Sequence, residues 1–275
     1  MSKRVLVEDN VEPSIGSKHS GHVLKFYEQS HVYELDGKVV PGVTSLVKGG
    51  LPTSFFLTNW MIGKGAQYVV DWFKGWRESE NDFPIEQQLK ELVKASKTAY
   101  RKDASAAAGI GSLIHDFAYY TELGNTQRAE EILAAAKPED LKKVMNGITK
   151  FKEWKAQNND EIIATEATVA SVKHKFAGKF DRLAKRDGRI VLSDFKTSSG
   201  IYGDMFVQLG AYAVAIKEWM DLDVEVVEIL RFGKEKGEFE VKGFDKKTDI
   251  KRFKDQAIRC RETFEFVKKM EKCLG

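Results

Sequence analysis

The sequence has little cysteine and no long apolar run. Its two cysteines, Cys260 and Cys273, are too few for a disulfide framework and lack the spacing of a metal-binding pair, which favours a reducing compartment. No stretch reaches the length of a membrane span, and the first twenty residues carry acidic side chains where a signal peptide would be apolar. We therefore predict a cytoplasmic protein with no membrane partner and a flexible leader over residues 1–20.

The chain also lacks a strong excess of either charge. Its 44 Lys and Arg residues are set against 41 Asp and Glu residues, which leaves a net charge of +3. Such a balance permits a nucleic-acid partner but does not require one. The hydrophobic fraction of 42% is ample for a core, so we expect residues 21–275 to fold as a single domain.

Nucleotide-binding loops and repeats are missing as well. The glycine pairs Gly49-Gly50, Gly63-x-Gly65 and Gly109-x-Gly111 lack the spacing and the Lys-Ser/Thr of a phosphate-binding loop. The sequence contains no internal repeat and no low-complexity tract. It therefore predicts a protein that uses no ATP.

The first half of the chain is predicted to be largely helical. Residues 22–40 are β-prone and predict a hairpin with its turn at Asp36-Gly37. The pattern then becomes helical from residue 44 to about residue 157. Four helices are expected: one from Thr53 or Ser54, one from Pro84 to about Ala107, one that follows Gly109 and Gly111, carries His115 and ends at Gly124, and one from Pro138 to Trp154.

The second half is predicted to be centred on a sheet. The hydrophobic period indicates strands over 161–172, 176–185 and 189–196, a helix over 204–220, strands over 224–232 and 238–244, and a helix over 247–272. The fold class is therefore α/β, of the mixed α+β kind. A hairpin and helical part over 21–157 would precede a core over 158–245 and a C-terminal helix over 246–275.

One predicted hairpin in the second half brings two carboxylates together. Asp187-Gly188 lies midway between two strand-like runs, and a symmetric hairpin about this dipeptide pairs residues whose numbers sum to 375. Asp181 and Asp194 form such a pair. Like charges directly opposite each other are destabilising unless something positive lies between them, and a divalent cation is the simplest candidate.

Lys196 lies on the same strand face as Asp194, because side chains alternate with a period of two. Its ammonium would stand beside the metal, where it could orient or help to deprotonate a metal-bound water and offset charge on an attacked phosphate. An isolated Asp-x-Lys is common on exposed strands, so these residues alone do not identify a site. The neighbouring residues strengthen the prediction: Gly178-Lys179-Phe180-Asp181 before the turn, Ser193-Asp194-Phe195-Lys196-Thr197-Ser198 after it, and then Gln208 and Tyr212.

The run from Gly178 to Tyr212 resembles the nuclease core of the PD-(D/E)XK superfamily, in its RecB-like and phage-exonuclease branch. That pattern is a glycine, two residues and an aspartate, a β-turn, Asp-x-Lys-Thr, and a helix with Gln-x-x-x-Tyr, and each part is present in order. The family also has an upstream helix with small residues and a histidine, which the run from Gly109 to His115 matches. The resemblance implies a restriction-endonuclease-like core sheet flanked by helices.

The resemblance also implies roles for individual residues. It makes Asp181 and Asp194 metal ligands and Lys196 the catalytic lysine. It adds His115 and the backbone carbonyl of Phe195 as further metal ligands. A half-buried structural histidine is the alternative for His115, because Leu113 and Ile114 precede it.

Three other residues receive supporting roles from the resemblance. Gln208 and Tyr212, one helical turn apart, would support the lysine and contact the substrate, although both could simply pack in the core. Glu166, on the preceding strand, would be an outer acidic residue, with a solvent-facing strand residue as its alternative.

The resemblance implies a metal-dependent deoxyribonuclease that uses one or two Mg²⁺ or Mn²⁺ ions. The size and the helical first half are most similar to stand-alone exonucleases of phages and mitochondria, so an exonuclease is favoured, acting on single-stranded DNA or DNA ends in recombination, repair or replication. A recombination or single-strand-binding protein is a candidate partner. Relatives with an iron–sulfur cluster use four cysteines, so none is expected here. The alternatives are a structure-specific endonuclease, a non-catalytic nucleic-acid-binding module and an RNA-directed nuclease.

Two further segments bear on nucleic-acid contact. The stretch over 55–76 is rich in aromatic residues interleaved with lysines, and core packing is its commoner explanation, with stacking on single-stranded bases as the alternative. The predicted C-terminal helix carries many basic residues interspersed with acidic ones. A solvated surface is the default for such a helix, and phosphate contact is the alternative.

Overall fold

The computed structural model describes residues 11–13, 21–53, 55–79, 86–233 and 238–274. It divides into two compact units, a larger one of residues 1–51 with 113–275 and a smaller one of residues 52–112. The helices and strands are β1 Val11–Pro13, β2 Leu24–Tyr27, β3 Val32–Leu35, β4 Lys38–Val40, α1 Val43–Gly50, α2 Phe55–Glu78, α3 Glu86–Ser96, α4 Tyr100–Glu122, α5 Thr126–Ala134, α6 Pro138–Gln157, β5 Glu161–Ser171, β6 Phe176–Arg186, β7 Arg189–Lys196, α7 Gly203–Met220, β8 Val226–Phe232, β9 Phe239–Phe244 and α8 Lys247–Leu274.

The central sheet of the larger unit has five strands in the order β5-β6-β7-β8-β9. Neighbouring strands are antiparallel except β7 and β8, which are parallel and therefore need a crossover connection. α7 makes that crossover, and it is buried on nearly all sides, as expected of a helix that is apolar all round. Gly210 lets α8 approach α7 closely, because a Cβ there would collide with the backbone of Phe253.

α6 packs against side chains of the sheet that alternate with those facing α7. Phe151 of α6 contacts the rings of Phe195 and Phe232, at centroid distances of 5.8 and 6.3 Å, and all three rings are buried. Trp154 lies over the guanidinium of Arg182, 5.0 Å from the ring centre. The sheet is therefore covered by helices, which confirms the predicted α/β fold class.

A second sheet in the larger unit contains β1 to β4, all antiparallel. Asp36 and Gly37 connect β3 to β4 with φ angles of 50° and 73°, which are the positive values that tight hairpin turns require. The hairpin predicted over 22–40 is thus confirmed. A hydrogen bond of 3.1 Å from the Ala177 N–H to the Pro41 carbonyl ties this segment to β6.

The smaller unit contains α2, α3 and residues 100–112 of α4. An ion pair of 2.6 Å joins Lys64 to Asp103, and the ring of Trp60 contacts that of Tyr100 at 6.1 Å. Trp60, Tyr68 and Phe73 are each more than a third exposed. The aromatic stretch is therefore only partly buried; the side chains of its first two phenylalanines lie outside the described residues.

Most predicted boundaries in the second half agree with the structure within two residues, and α6 begins at Pro138 as predicted. The second predicted helix is wrong, since the chain leaves the helix at Ser96 and α4 begins at Tyr100. The hydroxyls of Ser96 and Thr98 donate to the carbonyls of Val93 and Ala95, which competes with helical hydrogen bonding.

The start of the third predicted helix is also wrong, because α4 passes through Gly109 and Gly111. Its end is right: Gly124, at φ 70°, follows the last turn. The short helices α1 and α5 were not predicted. The predicted helix starts at Ser54 and Pro84 lie outside the described residues, as does most of the predicted leader over 1–20.

No helix in the described part of the chain is both long enough and apolar enough to cross a membrane.

Candidate metal centre

The hairpin of β6 and β7 has the predicted register. Its paired residues sum to 375, from Arg186 opposite Arg189 to Arg182 opposite Ser193. The turn residues Asp187 and Gly188 have φ angles of 50° and 81°, so both occupy the left-handed region that this kind of hairpin needs. The ladder ends at Arg182 and Ser193, so Asp181 and Asp194 are the next residues beyond its last pair, and the charge of Asp181 acts on Asp194.

Asp181 joins the two strands through its side chain. Its Oδ2 accepts a hydrogen bond of 2.6 Å from the backbone N–H of Phe195. The carboxylate is held in one orientation by this bond, and it is 13% exposed. Asp181 is therefore both fixed and accessible, as a metal ligand must be.

Asp194 is almost completely buried and forms an ion pair with Lys196. Burial and the nearby charge of Asp181 raise the pKa of Asp194 to about 6, although the ammonium of Lys196 opposes the shift. Burial on its own would lower the pKa of Lys196, but the carboxylates of Asp194 and Asp181 outweigh it and raise the pKa overall. Lys196 therefore keeps its positive charge at neutral pH.

Glu166 reaches the same place from β5. The register of β5 and β6 pairs Thr165 with Arg182 and Ala167 with Phe180, so Glu166 lies opposite Asp181. A bulge precedes it in the strand, and its φ of 46° is unusual for a residue with a side chain. Such strained backbone is often found at functional sites.

The carboxylate of Glu166 is in a poorly solvated and electronegative position. Burial, followed by the charge of Asp181, raises the pKa of Glu166 to about 7. The Lys179 ammonium, 3.4 Å away, opposes this shift. A cation bound here would relieve the repulsion between the two carboxylates.

His115 completes the group from α4. Its Nδ1 lies 3.7 Å from Asp181 Oδ2, and its ring meets that of Phe195 edge-on. One ligand atom from each of His115, Glu166 and Asp181 lies within 4.8 Å of the others. Across the residues that the structure describes, this is the one set of His, Cys, Asp and Glu side chains that meets this criterion.

α4 is held against β6 at a second point. Glu122, two turns after His115 and so on nearly the same helix face, accepts a hydrogen bond of 3.2 Å from the Nε of Arg182. Both side chains are almost fully buried. The neighbouring residues Asp181 and Arg182 thus both contact α4. The contact of Arg182 with Glu122 helps to hold His115 beside Asp181.

Gln208 and Tyr212 form the back of the site on α7. Gln208 Nε2 donates to the Tyr212 hydroxyl at 3.2 Å. Burial, followed by the charge of Asp194, raises the pKa of Tyr212 well above its usual value, so the hydroxyl stays protonated. Gly178 makes room for this ring, because a Cβ at that position would come within 2.7 Å of it. The motif therefore needs a glycine at this position so that the Tyr212 ring can pack against the strand.

The structure brings together every residue that the sequence predicted for the site. His115, Glu166 and Asp181 converge, and Asp194 with Lys196 lies beside them. Oxygen ligands from carboxylates, with one imidazole nitrogen, suit a hard divalent cation such as Mg²⁺ or Mn²⁺. The Phe195 N–H binds Asp181, and metal ligation by the Phe195 carbonyl stays a prediction.

Sequence reasoning did not single out Lys179, although it lies inside the quoted motif. Its position two residues before Asp181 places both on the same strand face, which was a usable signal. The contact between Glu122 and Arg182 has no comparable signal, because it joins distant parts of the chain.

A family model described as the PD-(D/E)XK nuclease superfamily matches residues 86–272, more than half of the chain. Among solved structures, the alkaline exonuclease LHK-Exo from Laribacter hongkongensis in complex with dAMP is 9% identical, with a TM-score of 0.31 over 62% of this chain and 97% of that one. Another structure of LHK-Exo is 7% identical, with a TM-score of 0.27 over 45% and 69% of the two chains. The protein SSO0001 is 15% identical, with a TM-score of 0.30 over 57% and 74%. No curated protein matches.

Proposed function

This chain belongs to the PD-(D/E)XK nuclease superfamily, and we propose that it is a DNA exonuclease acting through the centre formed by His115, Glu166, Asp181, Asp194 and Lys196. As a member of that family it is a metal-dependent nuclease. The observation that carries the assignment of the site is the convergence of three ligand atoms within 4.8 Å of one another, beside a buried Asp–Lys pair.

The residues present fit one or two Mg²⁺ or Mn²⁺ ions. His115, Glu166 and Asp181 would hold a first ion, and Asp194 with the Phe195 carbonyl would complete its ligands or share a second ion. A bound divalent ion supplies an activated water and stabilises charge on the phosphate that is attacked. The raised pKa values of Glu166 and Asp194 support this assignment, because they result from burial and from the nearby charge of Asp181, and a bound cation would stabilise the ionised carboxylates.

Lys196 acts on the phosphate and on the attacking water. Its ammonium is oriented by Asp194 and keeps its proton, so it offers hydrogen bonds to a non-bridging oxygen and to the water. Because Lys196 keeps its own proton, the proton of the attacking water would leave to solvent or to a phosphate oxygen and not to this lysine. Gln208 and Tyr212 support the arrangement from α7 through their mutual hydrogen bond.

DNA ends are the proposed substrate, in recombination, repair or replication. The size of the chain and its helical first half, which are similar to those of stand-alone exonucleases, support this choice. A structure-specific endonuclease on the same core is the alternative that the test must separate.

The test compares linear with closed circular DNA, single- and double-stranded, with end labels on the linear forms. We expect loss of linear DNA with Mg²⁺ or Mn²⁺, no cleavage with EDTA, and intact circles. Lys196→Ala should lower the rate by about two to three orders of magnitude, as the loss of a preorganised transition-state contact does. Lys185→Ala, an exposed position of the same hairpin, is the matched control and should keep full activity.

Cleavage of circles would refute the exonuclease proposal in favour of an endonuclease. Full activity of Lys196→Ala would refute the proposed site.

A further inference from the structure

A cavity of 590 Å³ lies beside the metal cluster and shares Glu166 with it. Residues of α4, α5 and β5 form most of its lining, and Lys179 of β6 joins them. Its volume is in the range of pockets that hold small-molecule ligands, about 300–1,000 Å³. It suits one nucleotide rather than a length of duplex.

Part of the lining is aromatic and apolar, with two tyrosine rings inclined at 63° to each other. Tyr119 and Tyr120 of α4 have ring centroids 4.9 Å apart, and Ile132 and Ile163 accompany them in the cavity. The guanidinium of Arg128 lies over the Tyr120 ring, 5.8 Å from its centre. Every nucleobase has a π face that can stack on an aromatic side chain whatever the sequence. This part of the cavity is therefore suited to a base.

The lining nearest to Glu166 offers charge and hydrogen bonds. The Lys179 ammonium lies 3.4 Å from the Glu166 carboxylate, so it stands at the boundary between the cavity and the metal cluster. Thr165 Oγ1 is buried and has no hydrogen-bond partner within the described residues. An unpartnered buried hydroxyl costs free energy, which a hydrogen bond from a ligand would recover. These groups are suited to the phosphate and the sugar.

We propose that this cavity binds the terminal nucleotide of the DNA strand, with the phosphate at Lys179 and the metal cluster and the base against Tyr120. The ligand class is a deoxynucleoside monophosphate unit. This inference rests on the proposed exonuclease function, since such a pocket gives the enzyme a way to recognise a strand end. It also assigns Lys179 a second role, because its ammonium would pass from Glu166 to the phosphate when a metal occupies the cluster.

The first experiment measures binding directly and needs no cleavage. The wild-type chain is titrated by calorimetry in Mg²⁺ with dAMP, with deoxyadenosine and with inorganic phosphate. We expect dAMP to bind at least about tenfold more tightly than either fragment, because the cavity holds both parts of it. Binding of dAMP that is no tighter than that of phosphate would overturn the proposal, since it would leave only the metal cluster as the site.

Two variants then test whether the base stacks on Tyr120. Tyr120→Ala should weaken dAMP binding by about tenfold or more, as the loss of a stacking aromatic does, and should leave phosphate binding unchanged. Tyr120→Phe keeps the ring and is the matched control, for which we expect affinity close to that of the wild type. Equal dAMP affinity in all three proteins would refute the placement of the base.

Thr165→Val tests whether the Thr165 hydroxyl binds the ligand, without creating a void in the cavity lining. The change keeps the side-chain volume and removes the hydroxyl that lacks a partner, so the melting temperature should stay the same or rise. The affinity for dAMP should fall by about fivefold, the value of one neutral hydrogen bond. Unchanged affinity would remove Thr165 from the binding site.

Failure of the pocket and failure of the proposed function give different results. An enzyme that degrades linear DNA and spares circles but does not bind dAMP in this way would refute the pocket alone. An enzyme that cuts circles and loses dAMP binding with Tyr120→Ala would refute strand-end recognition while leaving a nucleotide pocket in place.

Discussion

Asp181 and Arg182 are neighbours in β6, yet they belong to two buried charge clusters that differ in composition. The cluster around Arg182 contains as many cations as carboxylates. Its ion pairs span 2.6–3.2 Å and join Arg182, Arg186 and Lys155 to Glu122, Asp160 and Glu228. Burial opposes ionisation of Asp160, but the guanidinium groups of Arg186 and Arg182 outweigh it and lower the pKa of that carboxyl.

The cluster around Asp181 has an excess of negative charge. Glu166, Asp181 and Asp194 share the ammonium groups of Lys179 and Lys196, and the pKa values of Glu166 and Asp194 are raised to about 7 and 6. The contrast separates a cluster that stabilises the fold from the cluster that we propose as the metal-binding site. The raised pKa values of the carboxylates in the second cluster support that proposal.

The largest expected effect is on the balanced cluster. Arg182→Met should lower the free energy of unfolding by about 3–5 kcal/mol, because it removes one of the two cationic partners from each of the buried carboxylates of Glu122 and Asp160. Chemical denaturation measures the loss. Arg189→Met, which breaks the half-exposed pair with Asp245, is the control and should cost less than about 1 kcal/mol. Equal effects of the two changes would mean that the buried cluster does not hold the fold.

At the acidic cluster, a lost charge should have the opposite effect on stability. Asp181→Asn keeps an oxygen for the Phe195 N–H but removes one of the repelling charges, so we expect a higher melting temperature in EDTA. Affinity for Mn²⁺ should fall by about 10- to 100-fold or more, the range for changes at the ligands and their supports. Calorimetry measures this affinity, and an unchanged value would remove Asp181 from the ligands.

The two clusters should also respond to pH in opposite directions. A raised carboxyl pKa means that the folded state binds more protons than the unfolded state, so the contribution of Glu166 to stability should fall as pH rises from about 4.5 through 7 in EDTA. Asp160 has a lowered pKa, so its ionised carboxylate stabilises the folded state above the ordinary pKa of an aspartate. This stabilisation is lost as the pH falls through the lowered pKa. Melting temperatures measured between pH 3 and 8 test both the fall in stability towards neutral pH and the fall on acidification.

Mg²⁺ should flatten this fall in stability towards neutral pH, and Glu166→Gln should remove the part of it that is due to Glu166, while the raised pKa of Asp194 accounts for the rest. If stability falls just as much between about pH 4.5 and 7 in Glu166→Gln, the fall is due to another group.

The smallest expected effect is at the back of the site. Gln208→Ala removes the hydrogen bond to the Tyr212 hydroxyl, which should cost about 1 kcal/mol of stability and reduce the cleavage rate by less than about tenfold. Denaturation and steady-state kinetics measure the two effects. A rate loss as large as that of Lys196→Ala would give Gln208 a direct part in the reaction.

Much of the fold could be predicted because its signals are local. The strands over 161–196 were predicted to within one residue at each end. The turn dipeptide between β6 and β7 tolerates positive φ, so the register of that hairpin was also predicted correctly. The break between α3 and α4 was missed because Ser96 and Thr98 are compatible with a helix and only their hydrogen bonds end it. The short helices α1 and α5 have too few residues for a clear hydrophobic period.

The sequence by itself determined the register of the hairpin that carries Asp181 and Asp194, and the side of the strand on which Lys196 lies. Those relations follow from one turn and one period, and they involve residues that are close in the chain. For His115 and Glu166 the sequence offered only the family resemblance, and the tertiary structure decided that their side chains lie beside Asp181. α4 is held on β6 by the buried contact of Glu122 with Arg182, and Glu166, which has a left-handed backbone, lies opposite Asp181 in the strand β5. Contacts between distant segments depend on packing in three dimensions, which no local pattern of the sequence encodes.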